Sequence, residues 1–390
     1  MLRKKSLWQI GLTVLILHTW VFSAAAGVGS GEAPGLEFSP LFNGSDKSGW
    51  IIEPDRGTWV VEDSALYCKG FPREPYLILT ENSYENFDFR AQFKVSPGCN
   101  SGIFFHVPFS GRQSKIGFEV QILDDAGREA HRSSTGSIYS VVAPSHNASR
   151  AAGEWNDIRV LFDWPNCKVW LNGHLVQNVD FSAHPELKYR LRNGPIGLSN
   201  HGHPVWYRNL WIQELPSKER WIDLFNGMDL SGWTVIGDAE WEVKDGVIVA
   251  SGGTGWLVSE RDYDHFHLQV YIENDTLQPR SGAIHYRWKS PDEPGYAAEY
   301  YDFTDAASFR IKYSDRFPDT VVPPLTQRWL LYQLLSTDRE SIVRVNGIET
   351  GKNLLLGVMG PGRIVFCHTA ADGLLRLQMM RIKILEMPSL

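Results

Sequence analysis

The chain has few cysteines, no basic stripe, no stretch that holds a helical period, and no long apolar run beyond its first two dozen residues. Each absence narrows the reading. Four Cys in 390 residues, at 68, 99, 167 and 367, are too sparse for a disulfide scaffold and lack the paired spacing of a zinc site. They allow one bridge at most within the first half, which would leave an odd thiol, or else buried free cysteines. With 38 Lys and Arg against 45 Asp and Glu, the formal charge is −7, and a nucleic-acid partner is disfavoured because phosphate neutralisation needs a basic surface. Without further apolar runs, the chain is no multi-span membrane protein.

What is present begins with an N-terminal export signature. Arg3, Lys4 and Lys5 precede an apolar stretch from Leu7 to Phe22, and Ser23-Ala24-Ala25-Ala26 offers small residues for cleavage. The apolar stretch falls short of the roughly 20 residues a spanning helix needs. It is also interrupted by Gln9, Gly11 and His18, so residues 1–26 are expected to be a removed signal peptide and 27–37 a linker. The mature protein is then expected to be periplasmic or secreted, with no membrane attachment after cleavage.

The strongest feature is internal. Leu41-Phe42-Asn43-Gly44-Ser45-Asp46-Lys47-Ser48-Gly49-Trp50 returns as Leu224-Phe225-Asn226-Gly227-Met228-Asp229-Leu230-Ser231-Gly232-Trp233, identical at eight of ten positions. The match continues in order: Trp59 with Trp241, Tyr84 with Tyr263, Ser101-Gly102 with Ser281-Gly282, Trp155 with Trp329, and Asn172-Gly173 with Asn346-Gly347. Drifting spacing between matched landmarks is what loop-length changes leave in a duplicated fold. Two units are therefore expected, 38–216 and 220–387, each large enough for one core. Trp is abundant, at 15, and the repeated Trp50, Trp59, Trp155, Trp233, Trp241 and Trp329 read as duplicated core.

Within each unit the signal is β. Phe87 to Val95 alternates apolar and polar residues with period two, and Asn172-Gly173 supplies the left-handed residues of a tight hairpin. Many short strands between turn signals predict an all-β chain of antiparallel sandwiches.

Three clusters in the first unit carry polar groups that a sandwich core would not request: Asn100-Ser101-Gly102 through His106, Gly117-Phe118-Glu119-Val120-Gln121-Ile122-Leu123-Asp124, and Ser199-Asn200-His201-Gly202-His203 near Arg208. Residues two apart in a strand share a face. Glu119 and Gln121 therefore look one way while Phe118, Val120 and Ile122 look the other. On pattern alone this is equally the solvated face of an amphipathic strand.

Taken in order, these clusters, together with Leu41-Phe42-Asn43-Gly44, Thr135-Gly136-Ser137-Ile138-Tyr139, Glu154-Trp155-Asn156 and Trp170-Leu171-Asn172-Gly173, resemble two tandem copies of the 3-keto-disaccharide hydrolase-like domain family. The second copy is degenerate. The resemblance implies a concanavalin-like lectin/glucanase sandwich, a jelly roll, acting on glycosides oxidised to a ketone at C3. Two departures stand out: His106 where the family tends to have Arg, and Ser199 where Gln is common.

A C3 carbonyl acidifies the C2 hydrogen, so a modest base can remove it, the C1 group leaves, and water adds back. Such chemistry needs a base of near-neutral pKa and a group to hold the enolate. The resemblance implies Glu119 or His201 as base, Arg208 and His106 as stabilisers, and Gln121, Asp124, Asn100 and Tyr139 on the substrate sugar. A divalent ion is an alternative stabiliser, with Glu119, Asp124 and His201 as O and N ligands. A non-catalytic carbohydrate-binding module is the competing reading, using aromatics such as Trp164, Trp206, Trp288 and Tyr300-Tyr301. In the second unit Ala297 aligns with Glu119, Glu299 with Gln121 and Thr369 with His201, so any reaction is expected in the first unit alone.

Overall fold

The computed structural model describes residues 37–52, 58–70, 77–273, 282–290, 296–300, 309–310, 328–354, 360–369 and 373–385. The expected signal segment and all but the last residue of the linker lie outside the described residues. The architecture is two tandem antiparallel β-sandwiches. Among the described residues the only helix is a single turn, Gln113–Ile116.

In the first unit an eight-stranded sheet runs, in spatial order, through His174–Asp180, Asn166–Leu171, Trp155–Asp163, Asn86–Val95, Val205–Leu215, Ala65–Cys68 and Trp59–Glu62, with Ser39–Pro40 also pairing on Val205–Leu215. A five-stranded sheet faces it in the order Trp50–Ile51, Leu77–Tyr84, Gly194–Ser199, Asn100–Phe105, Phe118–Leu123. The second unit repeats this order strand for strand, from Glu240–Lys244 across to Ile348–Leu354 in one sheet and from Trp233–Gly237 across to Tyr296–Tyr300 in the other, where Phe309–Arg310 adds one more strand. The duplication seen in the sequence is thus a duplication of topology.

Local physics explains the pattern. In Asn86–Val95 the inward positions Phe89, Ala91, Phe93 and Val95 are buried while Arg90 is exposed, as alternation on a half-covered sheet requires. Asn172 at φ 51° and Gly173 at φ 83° turn the chain between Leu171 and its partner His174, and Asn346 and Gly347 do the same at φ 48° and 79°. The Asp163–Asn166 pair is closed by a cis Trp164–Pro165 bond.

Each sandwich has its own apolar core, and a third cluster joins them. It consists of Ile116 and Leu191 from the first unit with Tyr271, Trp329 and Leu331 from the second, flanked by Phe109. The second unit's Trp329–Ser336 strand is therefore covered on both faces: Leu330, Tyr332 and Leu334 enter its own core, while Trp329 and Leu331 face the first unit. Its counterpart Trp155–Asp163 has one outer face partly open to solvent.

This corrects the reading of the repeated tryptophans. Trp50, Trp59 and Trp233 are buried in unit cores and Trp241 packs against one. Trp155 instead lies on the outer face beneath the Lys94 ammonium and Arg208 guanidinium, and Trp329 belongs to the joint between units. The cysteines are four buried free thiols, with burial pushing Cys68 up to about 11 and Cys99 up to about 12.

Candidate active site

The neighbouring strands Asn100–Phe105 and Phe118–Leu123 pair so that Gly102 faces Gln121 and Phe104 faces Glu119. Phe118, Val120 and Ile122 are buried in the core, which turns Glu119 and Gln121 to the opposite face of the sheet. That face is not solvated there: Glu119 is 5% exposed and Gln121 3%. A cavity of about 220 Å³ opens on it, and Asn100, Glu119, Gln121, Tyr139 and His201 all line it.

Glycine at 102 is what makes room for the carboxylate. A Cβ at that position would lie 2.3 Å from Glu119 Oε1, so the side chain lies across the neighbouring strand only because nothing projects from it. Among the described residues no hydrogen bond reaches the Glu119 carboxylate. Burial without such a donor penalises the charged form, and the Glu119 carboxyl is pushed up to about 8, an effect that the Arg112 guanidinium partly opposes.

The groups around it are held individually. Gln121 donates from Nε2 to Asn100 Oδ1 at 2.8 Å, fixing both amides. Tyr139 N–H donates to the Glu119 backbone carbonyl at 2.9 Å, and Gln121 exchanges backbone bonds with Ser137 and Gly136, so residues 134–142 cover the edge of the Glu119 strand. That cover is anchored by Asp125, which is 2% exposed and accepts from Thr135 N at 2.9 Å and Thr135 Oγ1 at 2.7 Å. Thr135-Gly136 is thus part of the site's frame. His201 sits in the loop after Gly194–Ser199, with its N–H reaching the Asn100 carbonyl at 3.3 Å. Desolvation holds its imidazole below the usual histidine range.

Three of the expected residues lie elsewhere. Arg208 projects from the outer face of the eight-stranded sheet, donating to Gln92 Oε1 at 2.8 Å and stacking 3.9 Å over Trp155, so the core separates it from the cavity. His106 is fully buried among Phe87, Phe118 and Phe162, bonds the Glu85 carbonyl at 2.9 Å, and is pushed down to about 3 by burial, so it is a neutral core residue. Asp124 accepts from Gly98 N–H at 2.9 Å and closes a turn outside the cavity. The sequence reading in turn missed Phe104, Arg112, Gln113 and Ser114, which complete the wall. Only Arg112, a cation inside the loop between the two site strands, carried a signal that could have been weighed.

The donor set does not fit the divalent ion weighed as an alternative. Among the described residues, Asp264, His265 and Asp338 form the one group whose ligand atoms lie within 4.8 Å of one another; Glu119, Asp124 and His201 do not. In that group Asp264 is already engaged by Arg287 at 2.6 Å.

Backbone register in the second unit pairs Gly282 with Tyr300 and Ile284 with Ala298. With Gly282 as counterpart of Gly102, Ala298 rather than Ala297 stands where Glu119 does, and Tyr300 rather than Glu299 where Gln121 does. The same register pairs Gly282 with His368, setting His368 at the place of Ser199 and moving the counterpart of His201 beyond Thr369. The carboxylate is absent from that position either way.

The aromatics proposed for a binding platform are largely occupied. Trp164 is capped by the Arg192 guanidinium at 3.2 Å, Trp206 stacks on Tyr67 at 4.7 Å, and Trp288 is 7% exposed. The side chains of Tyr300 and Tyr301 lie outside the described residues. Larger cavities exist, including one of about 310 Å³ between the units, but its walls are mainly apolar and it lacks a carboxylate poised by burial.

Comparison with known proteins shows what the chain is similar to. The profile of the 3-keto-alpha-glucoside-1,2-lyase-like domain matches residues 37–213 and 220–354. A curated 3-keto-disaccharide hydrolase from Bacteroides thetaiotaomicron is 25% identical, over 45% of this chain and 77% of that protein. A crystal structure of a proposed glycosyl hydrolase from Parabacteroides distasonis aligns at 26% identity and TM-score 0.41, over 46% of this chain and all of that one. A carbohydrate-binding module from Bacillus subtilis aligns at 15% identity and TM-score 0.32, over 43% of this chain and 96% of that one.

Proposed function

Because the chain belongs to the 3-keto-alpha-glucoside-1,2-lyase-like domain family, and so is a glycosyl hydrolase-like, carbohydrate-active protein, we propose that its first unit cleaves 3-keto-glycosides by elimination at C1–C2. The observation that carries this reading is a buried carboxyl, raised to about 8, sharing one cavity with three amides, a phenol, an imidazole and a guanidinium.

In the proposed reaction the Glu119 carboxylate takes the C2 proton, and the electron pair moves onto the C3 carbonyl oxygen as an enolate. Collapse of the enolate restores the C3 carbonyl, forms the C1–C2 double bond and breaks the bond from C1 to the leaving oxygen, which takes the proton held by Glu119 and departs as an alcohol, returning Glu119 to its carboxylate; His201 lines the same cavity beside this transfer. Addition of water across the new double bond gives net hydrolysis. A base of pKa near 8 is well matched to a carbon acid at neutral pH, because stronger proton affinity raises the driving force while a useful fraction stays ionised. Arg112 is the cation available to the enolate, supplied from the loop at 112 rather than from position 106 or 208. Asn100, Gln121 and Tyr139 offer donors and acceptors to sugar hydroxyls. Export, read from the N-terminus, is part of the same proposal and fits a substrate met outside the cytoplasm.

The test is a product assay on a panel of 3-keto-glycosides, with and without chelator, using the full chain and Glu119→Gln. The expected result is released aglycone from wild type, unaffected by chelator, and a loss of about 10²–10⁴-fold in kcat for the variant. Binding of glycans with no turnover on any member of the panel would overturn it in favour of a lectin-like module.

A further inference from the structure

The loop that joins the two site strands supplies one wall of the Glu119 cavity through Arg112, Gln113 and Ser114. Its apolar anchors do not enter the first unit's own core. Phe109 packs edge-on against Tyr271 at 5.6 Å and Trp329 at 6.0 Å, and its N–H donates to the Tyr271 hydroxyl at 3.2 Å. Ile116 is 1% exposed and belongs to the cluster with Tyr271, Trp329 and Leu331. The Asn346–Gly347 turn closes the flank so tightly that a Cβ on Gly347 would lie 2.9 Å from the Lys115 carbonyl. From the first unit, Arg190 donates to the Ser114 and Gly117 carbonyls at 2.7 and 3.0 Å.

We infer that the second unit serves the first as a buttress: Tyr271, Trp329 and Gly347 are positioning residues that seat the 107–117 loop and thereby hold Arg112 against the Glu119 cavity. A connection of this length between adjacent strands is long for a sandwich, and ordering it costs conformational entropy that its own few hydrogen bonds do not offset. Apolar burial of Phe109 and Ile116 against the second unit supplies the difference. The degenerate copy thus contributes to the reaction without touching substrate. This deepens the reading of Glu119 as the reacting group and rests on it, although the geometric coupling can be measured apart from turnover.

The experiment uses the full chain with ¹³C-labelled glutamate carboxyls, Glu119 being assigned by its disappearance in Glu119→Gln. Its midpoint is followed by NMR in wild type, Arg112→Ala, Tyr271→Phe, Gly347→Val and the exposed-surface control Met228→Ala. Removing Arg112 is expected to raise the Glu119 midpoint, because the opposing cation is gone. Tyr271→Phe and Gly347→Val are expected to move it the same way, Met228→Ala to leave it unchanged, and either buttress change added to Arg112→Ala to raise it no further. On a 3-keto-glycoside the buttress variants are expected to lose about 10–100-fold in kcat with KM little altered. Tyr271→Phe, nearly isosteric, serves if Gly347→Val does not fold. An unmoved midpoint in both folded variants, or fully additive shifts, overturns the buttress. Shifts as expected with no turnover in any sample would leave the buttress standing and remove the proposed activity.

Discussion

At the scale of single residues, the behaviour of Glu119 follows from what surrounds its carboxyl rather than from its own chemistry. Burial raises it to about 8 against the pull of Arg112, so most of the free protein carries it protonated at pH 7. If it is the base, kcat/KM is expected to rise with pH and level off above about 8, and the rise is expected to vanish in Glu119→Gln; stopped or continuous assays across pH 6–10 check this. The same shift has a consequence for stability. The folded state keeps this proton up to about pH 8 whereas the unfolded chain releases it near the ordinary 4.5, so the stabilisation is whole below about 4.5 and is lost as pH climbs to about 8. Denaturant titrations of wild type against Glu119→Gln are expected to diverge across that window by up to about 1.4 kcal/mol per pH unit.

At the scale of elements, the strand pair is where the sequence was most and least informative. Alternation in Phe118 to Leu123 named the face that Glu119 and Gln121 share, and the order of motifs pointed to the sandwich. Burial of that face was not legible, because it depends on residues 134–142 and on a loop whose partners lie in the other unit. Arg208 and His106 show the same limit from the other side: each is the right chemical type at a promising spacing, but period two alone does not say which of two sheets, or which side of a sheet, a strand belongs to. Trp329–Ser336 did carry a signal that went unread. Its run Trp-Leu-Leu-Tyr-Gln-Leu-Leu does not alternate as Trp155–Asp163 does, which is what a strand covered on both faces looks like. The Gly102 contact yields a prediction at this scale. Gly102→Ala leaves a strand residue that any backbone tolerates but places a methyl 2.3 Å from Glu119 Oε1. The expected outcome is an intact β circular-dichroism spectrum with kcat/KM reduced by about 10–100-fold.

At the scale of the whole molecule, the two sandwiches share a topology but not an environment. The first keeps one face of its eight-stranded sheet partly open, with Arg208, Trp155 and Lys94 on it; the second spends the corresponding face on its neighbour. Leu331 sits in that joint at 1% exposure, so Leu331→Ala is expected to lower stability by about 2–5 kcal/mol, measured by calorimetry on the full chain.

That covered face also bears on how a duplicated chain ages. The second copy has no carboxylate at the Glu119 position, yet under the buttress proposal it keeps a task at Tyr271, Trp329, Leu331 and Gly347. On the buttress proposal, deleting it would strip the neighbour's loop of its seat and uncover Phe109, Ile116 and Leu191. On that proposal redundancy becomes dependence: the copy without the carboxylate is the one that seats the working loop of the other.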